Sequence, residues 1–295
     1  MKKNAFFRIT IFFVSVTISL YTRSAYIYST EDDDTNNYVE YDYTTGKETS
    51  FSIENDSLNT YNDQSSLTYN INETPDISVN SIMPNKPLTK VNALSKPYCK
   101  VLYLNLGRDF NNDGVIDDWT GGTGFLVSHD IMLTAGHCMY NKEYGCVDKM
   151  RIYTMQNSSS RNSDYSYPSK WVMSTEYINN LNPNYDWCVV KLQESIGYET
   201  GWFGYATAST SKNISVSGYP DSTEYHYYQY KSSGTLNIYN KYQFSHNCST
   251  LGGVSGAPAY DSNNVVWGIH TSGSDSKNYG CLITSNISNL IKKYK

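Results

Sequence analysis

The stretch GTGFLVSHDIMLTAGHC (residues 122–138) contains two short apolar runs and ends in a glycine turn that carries a histidine. Short runs rich in β-branched and aromatic residues, bounded by Gly, Ser, Asn and Asp, are typical of β-strands. Runs of the same kind recur at short spacing from about residue 98 onward. This pattern predicts an all-β fold, either a sandwich or a barrel system, rather than alternating strands and helices.

The C-terminal stretch SNISNLIKKYK (285–295) departs from this pattern. Ile287, Leu290 and Ile291 fall on one helical face, and the lysines suit the negative end of a helix dipole. We therefore expect a C-terminal helix with Ser285 as its N-cap.

The N-terminus has the pattern of an export signal over residues 1–25. Three basic residues precede a twelve-residue apolar run at 9–20, which is shorter than the ~20 residues that span a bilayer. Cleavage near residues 24–26 is predicted, so a secreted protein without stable membrane insertion is expected. A retained anchor and a buried helix are the alternatives.

Residues 26–80 are polar and acidic. The window 31–80 holds twelve Asp and Glu against one Lys, although the formal charge of the whole chain is −5. A segment with so few aliphatic residues cannot bury enough apolar area to offset its ordering entropy. A largely disordered leader is expected ahead of a folded domain over residues 81–295. The chain has no basic stripe, so nucleic acid is not an expected partner.

Six cysteines in an exported chain allow fifteen disulfide connectivities. The short, turn-prone stretch between Cys138 and Cys146 favours a bridge between them, and a bridge between Cys248 and Cys281 is the next expectation. Cys188 lies in an apolar strand-like run, which indicates a buried free thiol. The partner of the remaining cysteine stays open.

Three stretches carry groups suited to acyl transfer. LTAGHC places His137 after an apolar strand, NYDWCVV places Asp186 before another, and GGVSGAP places Ser255 between glycines. A serine hydroxyl needs an imidazole to take its proton and a carboxylate to orient that imidazole. Each residue alone has a structural explanation, but their order and strand context together predict a catalytic triad. The N–H groups of Gly253 and Ser255 are the predicted oxyanion hole.

Together with GIHTSG, these stretches resemble the secreted bacterial glutamyl endopeptidases, a branch of the chymotrypsin-like serine proteases, over roughly residues 81–295. The resemblance implies two antiparallel six-stranded β-barrels and a C-terminal helix. It implies His137 as general base, Asp186 as its orienting partner and Ser255 as nucleophile. We expect a monomer that acts on protein or peptide substrates and requires no cofactor for catalysis.

Val254 departs from the pattern of that superfamily, in which Asp or Asn usually precedes the nucleophile. Val cannot pair with an ammonium group, so maturation of the oxyanion loop through that ion pair is excluded. The cysteine that often partners the one after the catalytic histidine would lie near Gly122 and is absent, which supports the bridge from Cys138 to Cys146.

The resemblance also places the primary specificity pocket. Ser249 at its base offers no counter-charge to Lys or Arg. Thr250 and His270 match positions at which glutamyl endopeptidases have Thr and His directed at the substrate carboxylate. Two donors offset the cost of burying a carboxylate, so cleavage after Glu is predicted, with Asp accepted more slowly. The alternative is that His270 is a satisfied strand histidine and Thr250 a turn residue.

A processing protease is expected to cut between Asn80 and Ser81, which makes residues 26–80 a pro-segment. The stretch SVNSIMPN (78–85) marks the change to the folded domain, and the mature chain of the resembled family begins at the corresponding place. The new α-amino group of Ser81 would be free to act as a third donor to the substrate carboxylate.

The stretch DFNNDGVIDDWT (109–120) follows part of a calcium-loop pattern. Oxygen-bearing side chains occupy its alternate ligand positions at Asp109, Asn111, Asp113 and Asp117. Thr120 stands where a bidentate Glu is expected. A stabilising calcium site and a polar hairpin loop are the two interpretations.

The predicted function is a secreted serine endopeptidase that cleaves after Glu through an acyl-enzyme. One alternative is a protease of the same fold with narrow, toxin-like or different specificity. The other is a non-catalytic protease homologue that binds protein partners.

Overall fold

The computed structural model describes residues 37–53, 86–225, 227–274 and 276–295, and strands dominate this part of the chain. In chain order, the strands are β1 (Asn37–Asp42), β2 (Lys47–Ser52), β3 (Thr89–Lys90), β4 (Val101–Arg108), β5 (Asp118–Leu126), β6 (Ile131–Thr134), β7 (Tyr140–Asn141), β8 (Gly145–Cys146), β9 (Lys149–Tyr153), β10 (Pro168–Ser174), β11 (Cys188–Leu192), β12 (Gly204–Tyr205), β13 (Lys212–Gly218), β14 (Tyr230–Ile238), β15 (Gln243–His246), β16 (Pro258–Tyr260), β17 (Val265–Gly273) and β18 (Asn278–Leu282).

Helices are short and few in the described residues. They are α1 (Gly136–Met139), α2 (Thr175–Asn180), α3 (Gly197–Thr200) and α4 (Ser285–Tyr294), with 3-10 turns at Tyr98–Lys100 and Pro183–Tyr185. None of the helices within the described ranges has the length and apolar character needed to cross a membrane.

The first barrel is formed by β4, β5, β6, β9, β10 and β11. Its strands are ordered β10–β11–β6–β5–β4–β9 and each neighbouring pair is antiparallel. A bridge between Ile152 in β9 and Ser166, just ahead of β10, closes the barrel with two N–H···O bonds of 2.9 Å. Leu104, Phe125 and Leu133 lie fully buried in its core, as expected when alternate strand residues face inward.

The second barrel contains the six strands β13 to β18. They are ordered β17–β16–β13–β14–β15–β18, and antiparallel pairing of β17 with β18 closes the ring. Val216, Leu236 and Phe244 are buried inside it. The expectation of two antiparallel six-stranded barrels is therefore confirmed.

The expected C-terminal helix is also present as α4. Ile287, Leu290 and Ile291 are fully buried along one face. Thr284, rather than Ser285, is the N-cap, and its hydroxyl accepts a hydrogen bond from the N–H of Ile287 at 3.4 Å. The helix thus begins at Ser285 and its cap lies one residue earlier than predicted.

Part of the acidic leader is ordered, contrary to expectation. Strands β1 and β2 form an antiparallel hairpin, and β1 pairs with the edge strand β10 of the first barrel. Tyr38 and Val39 are buried in the barrel's core cluster. The prediction of a disordered segment is therefore wrong for residues 37–53, because aromatic side chains supply the apolar area that aliphatic residues lack. The predicted signal peptide at 1–25 and the rest of 26–80 lie outside the described residues.

Candidate active site

The ends of two neighbouring strands place His137 beside Asp186. β6 pairs with β11 so that Thr134 is opposite Cys188; His137 follows β6 in α1, and Asp186 lies just ahead of β11. Asp186 Oδ1 accepts the backbone N–H of His137 at 2.8 Å, and its Oδ2 accepts Nδ1 of the ring at 2.8 Å. The carboxylate thereby favours the tautomer with the proton on Nδ1, which leaves Nε2 able to accept a proton.

Asp186 also decides the acid–base behaviour of His137. Burial alone would lower the pKa of the imidazole, but the negative charge of Asp186 and its hydrogen bond together outweigh burial. The pKa of His137 is therefore raised above its ordinary value of 6.5. Stabilisation of the imidazolium favours proton transfer from a serine hydroxyl to this ring.

Ser255 lies in a loop whose carbonyl groups all have donors. Each carbonyl from residue 251 to residue 255 accepts a hydrogen bond of 2.8–3.1 Å, and the donors are, in order, Val254 N, Asp221 N, Thr123 Oγ1, Ala257 N and Thr123 N. The N–H groups of Gly253 and Ser255 have no acceptor among the described residues. Because the N–H and carbonyl of one trans peptide point in opposite directions, these bonds also orient the two predicted oxyanion donors.

Two glycines make this loop conformation accessible. Gly253 and Gly256 have φ angles of +90° and +88°, which residues with a Cβ rarely adopt. A Cβ on Gly256 would also lie 2.0 Å from the carbonyl oxygen of Thr123. Both positions of the loop therefore require glycine.

Thr123 in β5 holds the serine loop from the first barrel. It is fully buried, and its hydroxyl donates to the carbonyl of Gly253 at 2.8 Å while accepting the N–H of Tyr219 at 3.0 Å. Its backbone N–H donates to the carbonyl of Ser255 at 3.0 Å. Sequence reasoning did not single out Thr123, although a polar residue inside an apolar strand is the signal that identifies it.

The predicted specificity residues lie beside the serine loop. Ser249, Thr250 and His270 are all buried. In β17 the backbone carbonyl of His270 accepts a hydrogen bond from the N–H of Gly256 at 2.8 Å. The backbone N–H of His270 donates to the carbonyl of Ala257 at 2.9 Å. The structure therefore brings His270 next to Ser255. Ser81, the third predicted member of the pocket, lies outside the described residues.

His246 in β15 is a buried neighbour of His270 that the sequence did not reveal. Its Nε2 lies 3.1 Å from Nδ1 of His270. The backbone N–H of Cys248 donates to Nδ1 of His246 at 3.3 Å, so neutral His246 carries its proton on Nε2 and donates to His270. Neutral His270 must then carry its own proton on Nε2.

Both imidazoles of this pair stay neutral. Burial, with a contribution from His137, lowers the pKa of His270 to about 3, against the opposing effects of the Tyr279 backbone and of Asp186. Burial, and then the charge of His270, holds the pKa of His246 well below its ordinary value. At neutral pH the pair is therefore uncharged.

The predicted calcium ligands take part in a hydrogen-bonded loop between β4 and β5. Each accepts a backbone N–H from the same loop: Asp109 those of Asp113 and Gly114, Asn111 that of Asp113, Asp113 that of Val115 and Asp117 that of Phe110. Across the described residues, no group of three or more His, Cys, Asp or Glu side chains is placed to hold a metal ion. Calcium binding at this loop stays a prediction.

The six cysteines are free thiols, so both predicted disulfides are wrong. Cys138 Sγ lies 3.6 Å from the carbonyl oxygen of Ser255, and Cys281 Sγ lies 3.3 Å from that of Pro183. The disulfides were predicted from the spacing of the cysteines along the chain, which does not determine the direction of their side chains. In the folded protein, the thiols of Cys138 and Cys281 point to backbone carbonyls and not to the predicted partner cysteines. The prediction of a buried free thiol at Cys188 is confirmed.

Two antiparallel six-stranded barrels with a histidine–aspartate pair and a glycine-flanked serine loop define the chymotrypsin-like serine protease fold. The family model for trypsin matches residues 112–291, more than half of the chain. The chain therefore belongs to the trypsin family, and this membership indicates a serine endopeptidase.

Similar proteins are known from two bacilli. A glutamyl endopeptidase of Bacillus licheniformis is 28% identical over 239 residues, which cover 74% of this chain and 70% of that protein. A Bacillus subtilis protein named extracellular metalloprotease is 28% identical over 180 residues, which cover 58% of this chain and 57% of that protein. The chain thus spans less than two thirds of the length of the second relative.

A solved structure of a Glu endopeptidase in complex with MPD shares the fold. Its TM-score is 0.62 at 24% sequence identity, and the match covers 72% of this chain and 98% of that one. The resemblance to glutamyl endopeptidases that the sequence motifs indicated is confirmed.

Proposed function

We propose that this protein is a secreted serine endopeptidase, made as a precursor, that cleaves peptide bonds after Glu and, more slowly, after Asp. The observation that carries the proposal is the pair of 2.8 Å hydrogen bonds that join His137 to Asp186. Acyl transfer needs an imidazole held in this tautomer beside a serine hydroxyl. No cofactor takes part in the proposed reaction.

The proposed mechanism proceeds through an acyl-enzyme. Ser255 Oγ attacks the scissile carbonyl carbon while Nε2 of His137 takes the hydroxyl proton, and Asp186 stabilises the imidazolium. The N–H groups of Gly253 and Ser255 bind the negative oxygen of the tetrahedral intermediate. Its collapse breaks the C–N bond, and His137 returns the proton to the leaving amine. Water then attacks the ester by the same route and releases the new carboxylate.

The pocket supports a preference for Glu. A substrate carboxylate leaves water only when donors replace its hydration. We assign Nε2–H of His270 and the hydroxyl of Thr250 to that role, with His246 as the residue that holds His270 in the donating tautomer. An uncharged substrate side chain would leave these donors unpaired and would therefore bind less well.

The course of the chain after residue 86 supports a part for the mature N-terminus. The hydroxyl of Ser249, at the predicted base of the pocket, donates to the carbonyl of Lys86 at 2.7 Å, and β3 pairs with β14. Lys86 lies five residues after Ser81. An α-amino group at Ser81 would supply a positively charged third donor below a pH of about 8.

Export and processing complete the proposal. The relative from Bacillus subtilis carries the word extracellular in its name, which agrees with the export signal predicted at residues 1–25. The proposed partners are protein or peptide substrates and a processing protease, and the mature enzyme is proposed to be a monomer that binds no nucleic acid.

Labelling with a small organophosphate tests whether the protein is catalytic at all. We expect stoichiometric labelling of the wild-type protein and none of Ser255→Ala, whose kcat should fall by about 10⁴-fold or more. Absence of labelling in a folded wild-type protein would favour the alternative of a non-catalytic homologue.

Digestion of a peptide library, with the cut sites read by mass spectrometry, tests the specificity. Cuts after Glu, with fewer after Asp, are expected. Cuts confined to one extended sequence would favour a narrow, toxin-like protease, and cuts after other residues would overturn the assignment of the pocket.

A further inference from the structure

The hairpin of β1 and β2 is built into the edge of the first barrel. Strand β1 pairs with β10 through five residue pairs, from Tyr38 opposite Ser174 to Asp42 opposite Lys170. The N–H of Tyr43 continues the ladder to the carbonyl of Ser169 at 2.9 Å. The hairpin therefore satisfies backbone groups of an edge strand that would otherwise be open to other chains.

Aromatic side chains anchor the hairpin to the barrel. Tyr38 is 1% exposed and its ring centroid lies 6.3 Å from that of Trp187. Tyr41 stacks on Trp171 at 5.8 Å with an interplanar angle of 19°. Removal of the hairpin would expose this apolar surface to water, which is unfavourable for a soluble domain.

An ion-pair group adds specificity to the contact. Lys170 Nζ in β10 lies 2.9 Å from Glu40 and 3.2 Å from Asp42, both in β1. The hydroxyl of Tyr294 at the end of α4 also donates to Glu40. One lysine thus faces two carboxylates of the hairpin, so reversal of its charge would replace two attractions with two repulsions.

The hairpin contacts the elements on both sides of Asp186. Trp187, against which Tyr38 packs, directly follows Asp186 in the chain. On the other side, the hydroxyl of Thr175 at the start of α2 donates a hydrogen bond to the carbonyl of Asn37 at 3.3 Å. The contacts between hairpin and barrel therefore extend to the loop that holds the proposed catalytic carboxylate.

We propose that the hairpin of residues 37–53 remains bound to the first barrel as a non-covalent strand pair after the chain is cut between residues 53 and 86. The mature enzyme then consists of two chains, and part of the pro-segment is a permanent component of it. The proposal rests on the processing step of the proposed function, but the contacts that carry it join residues 37–53 to the barrel, and its test needs neither native processing nor catalysis.

The test uses the full chain with Ser255→Ala and a recognition sequence for an unrelated site-specific protease inserted between residues 60 and 70. After that protease has cut the chain, gel filtration and native mass spectrometry at micromolar concentration show whether the fragment with residues 37–53 stays with the barrels. Co-elution as a one-to-one complex is expected. A fragment that separates from barrels with an unchanged melting temperature would overturn the proposal.

Charge reversal identifies the binding mode. Lys170→Glu should weaken retention of the fragment by about tenfold or more, whereas Lys149→Glu, an exposed lysine in β9 of the same barrel, should leave it unchanged. The triple variant Glu40→Lys, Asp42→Lys and Lys170→Glu should regain retention. Equal retention in Lys170→Glu and the parent, or no recovery in a folded triple variant, would contradict this docking.

Discussion

His137 belongs to the first barrel and His270 to the second, and their surroundings give them opposite acid–base properties. His137 is buried but faces a carboxylate whose charge and hydrogen bond raise its pKa. Burial lowers the pKa of His270 to about 3, and the partner of its ring is the imidazole of His246. One ring can therefore take and return a proton, while the other stays neutral, accepts a hydrogen bond from His246 at Nδ1 and can donate one from Nε2. Burial lowers the pKa of both rings, but the charge and hydrogen bond of Asp186 outweigh it at His137, whereas the opposing effects do not outweigh it at His270.

The two histidines also affect stability with opposite sign. The contribution of His137 is fully present below its ordinary pKa of 6.5 and is lost as pH rises through its raised pKa. His270 binds its second ring proton more weakly in the folded state than in the unfolded state. Its contribution to the free energy of unfolding is therefore fully present above pH 6.5 and is lost as pH falls toward 3.

Asp186→Asn should have the largest effect, because it breaks the His137 pair and leaves the His270 pair intact. An amide NH₂ group in place of Oδ2 can donate a hydrogen bond to Nδ1 of His137. The ring proton then lies on Nε2, so Nε2 can no longer accept the proton of the serine hydroxyl. We expect kcat to fall by about 10⁴-fold for Glu and Gln substrates alike. Steady-state kinetics on matched peptides measure this, and a loss below about tenfold would contradict the assigned role of Asp186.

His270→Ala should impair recognition of the substrate carboxylate selectively. It removes a donor to the substrate carboxylate, so kcat/KM should fall for a Glu peptide by about 2–4 kcal/mol more than for the matching Gln peptide. His129→Ala, at a ring stacked on Tyr198 in the turn between β5 and β6, is the control. Equal losses on both peptides would mean that His270 is structural.

Thr123→Val should affect catalysis without changing specificity. The variant keeps the side-chain shape but leaves the carbonyl of Gly253 without its 2.8 Å donor, so the oxyanion loop becomes less well held. We expect kcat to fall by about 10–100-fold on Glu and Gln peptides equally, since the full loss of an oxyanion donor costs about 10²–10³.

Two comparisons distinguish this effect from general loss of structure. Thr123→Ser should restore most of the activity. Thr200→Val, which removes a buried hydroxyl that donates to the carbonyl of Gly201, should leave kcat unchanged. A change in the ratio of Glu to Gln cleavage in Thr123→Val would place this residue in the pocket instead.

The pH dependence should distinguish the two rings in the wild-type enzyme. For both peptides kcat/KM should rise with pH as His137 loses its proton at its raised pKa. The ratio of the two values should stay constant from about pH 5.5 to about pH 7, because His270, with a pKa of about 3, remains neutral. Above that range it should fall only as the proposed α-amino donor of Ser81 loses its charge near a pH of about 8. A ratio that falls with a midpoint between about 6 and 7 would show that a charged His270 recognises Glu.

The smallest effect is expected at the loop of Asp109 and Asp113, which is part of neither histidine pair. If the predicted calcium site forms, a chelator lowers the melting temperature of the parent by about 2–4 °C, and Asp109→Ala with Asp113→Ala abolishes that shift without changing kcat. Melting curves with calcium and with chelator measure it. Identical curves for the parent would leave the loop as a hydrogen-bonded turn.

Local patterns were enough to predict the class of fold and the three proposed catalytic residues. Short apolar runs bounded by turn residues reveal strands because side chains alternate across a sheet. His137, Asp186 and Ser255 each stand at the end of such a run or between glycines, so their motifs are visible within a few residues. The helix α4 was predictable for the same reason, because its apolar face repeats every three to four residues.

Contacts between distant parts of the chain decided the rest. His246 approaches His270 only because β15 and β17 lie on either side of β18, and Thr123 reaches Gly253 across 130 positions of sequence. Cysteine spacing suggested bridges that do not form, since the directions of the thiols depend on the packing of the strands. The acidic hairpin gains its order from the edge of β10. A two-stranded hairpin alone is marginally stable in water, so its fold depends on a surface that exists only in the assembled barrel.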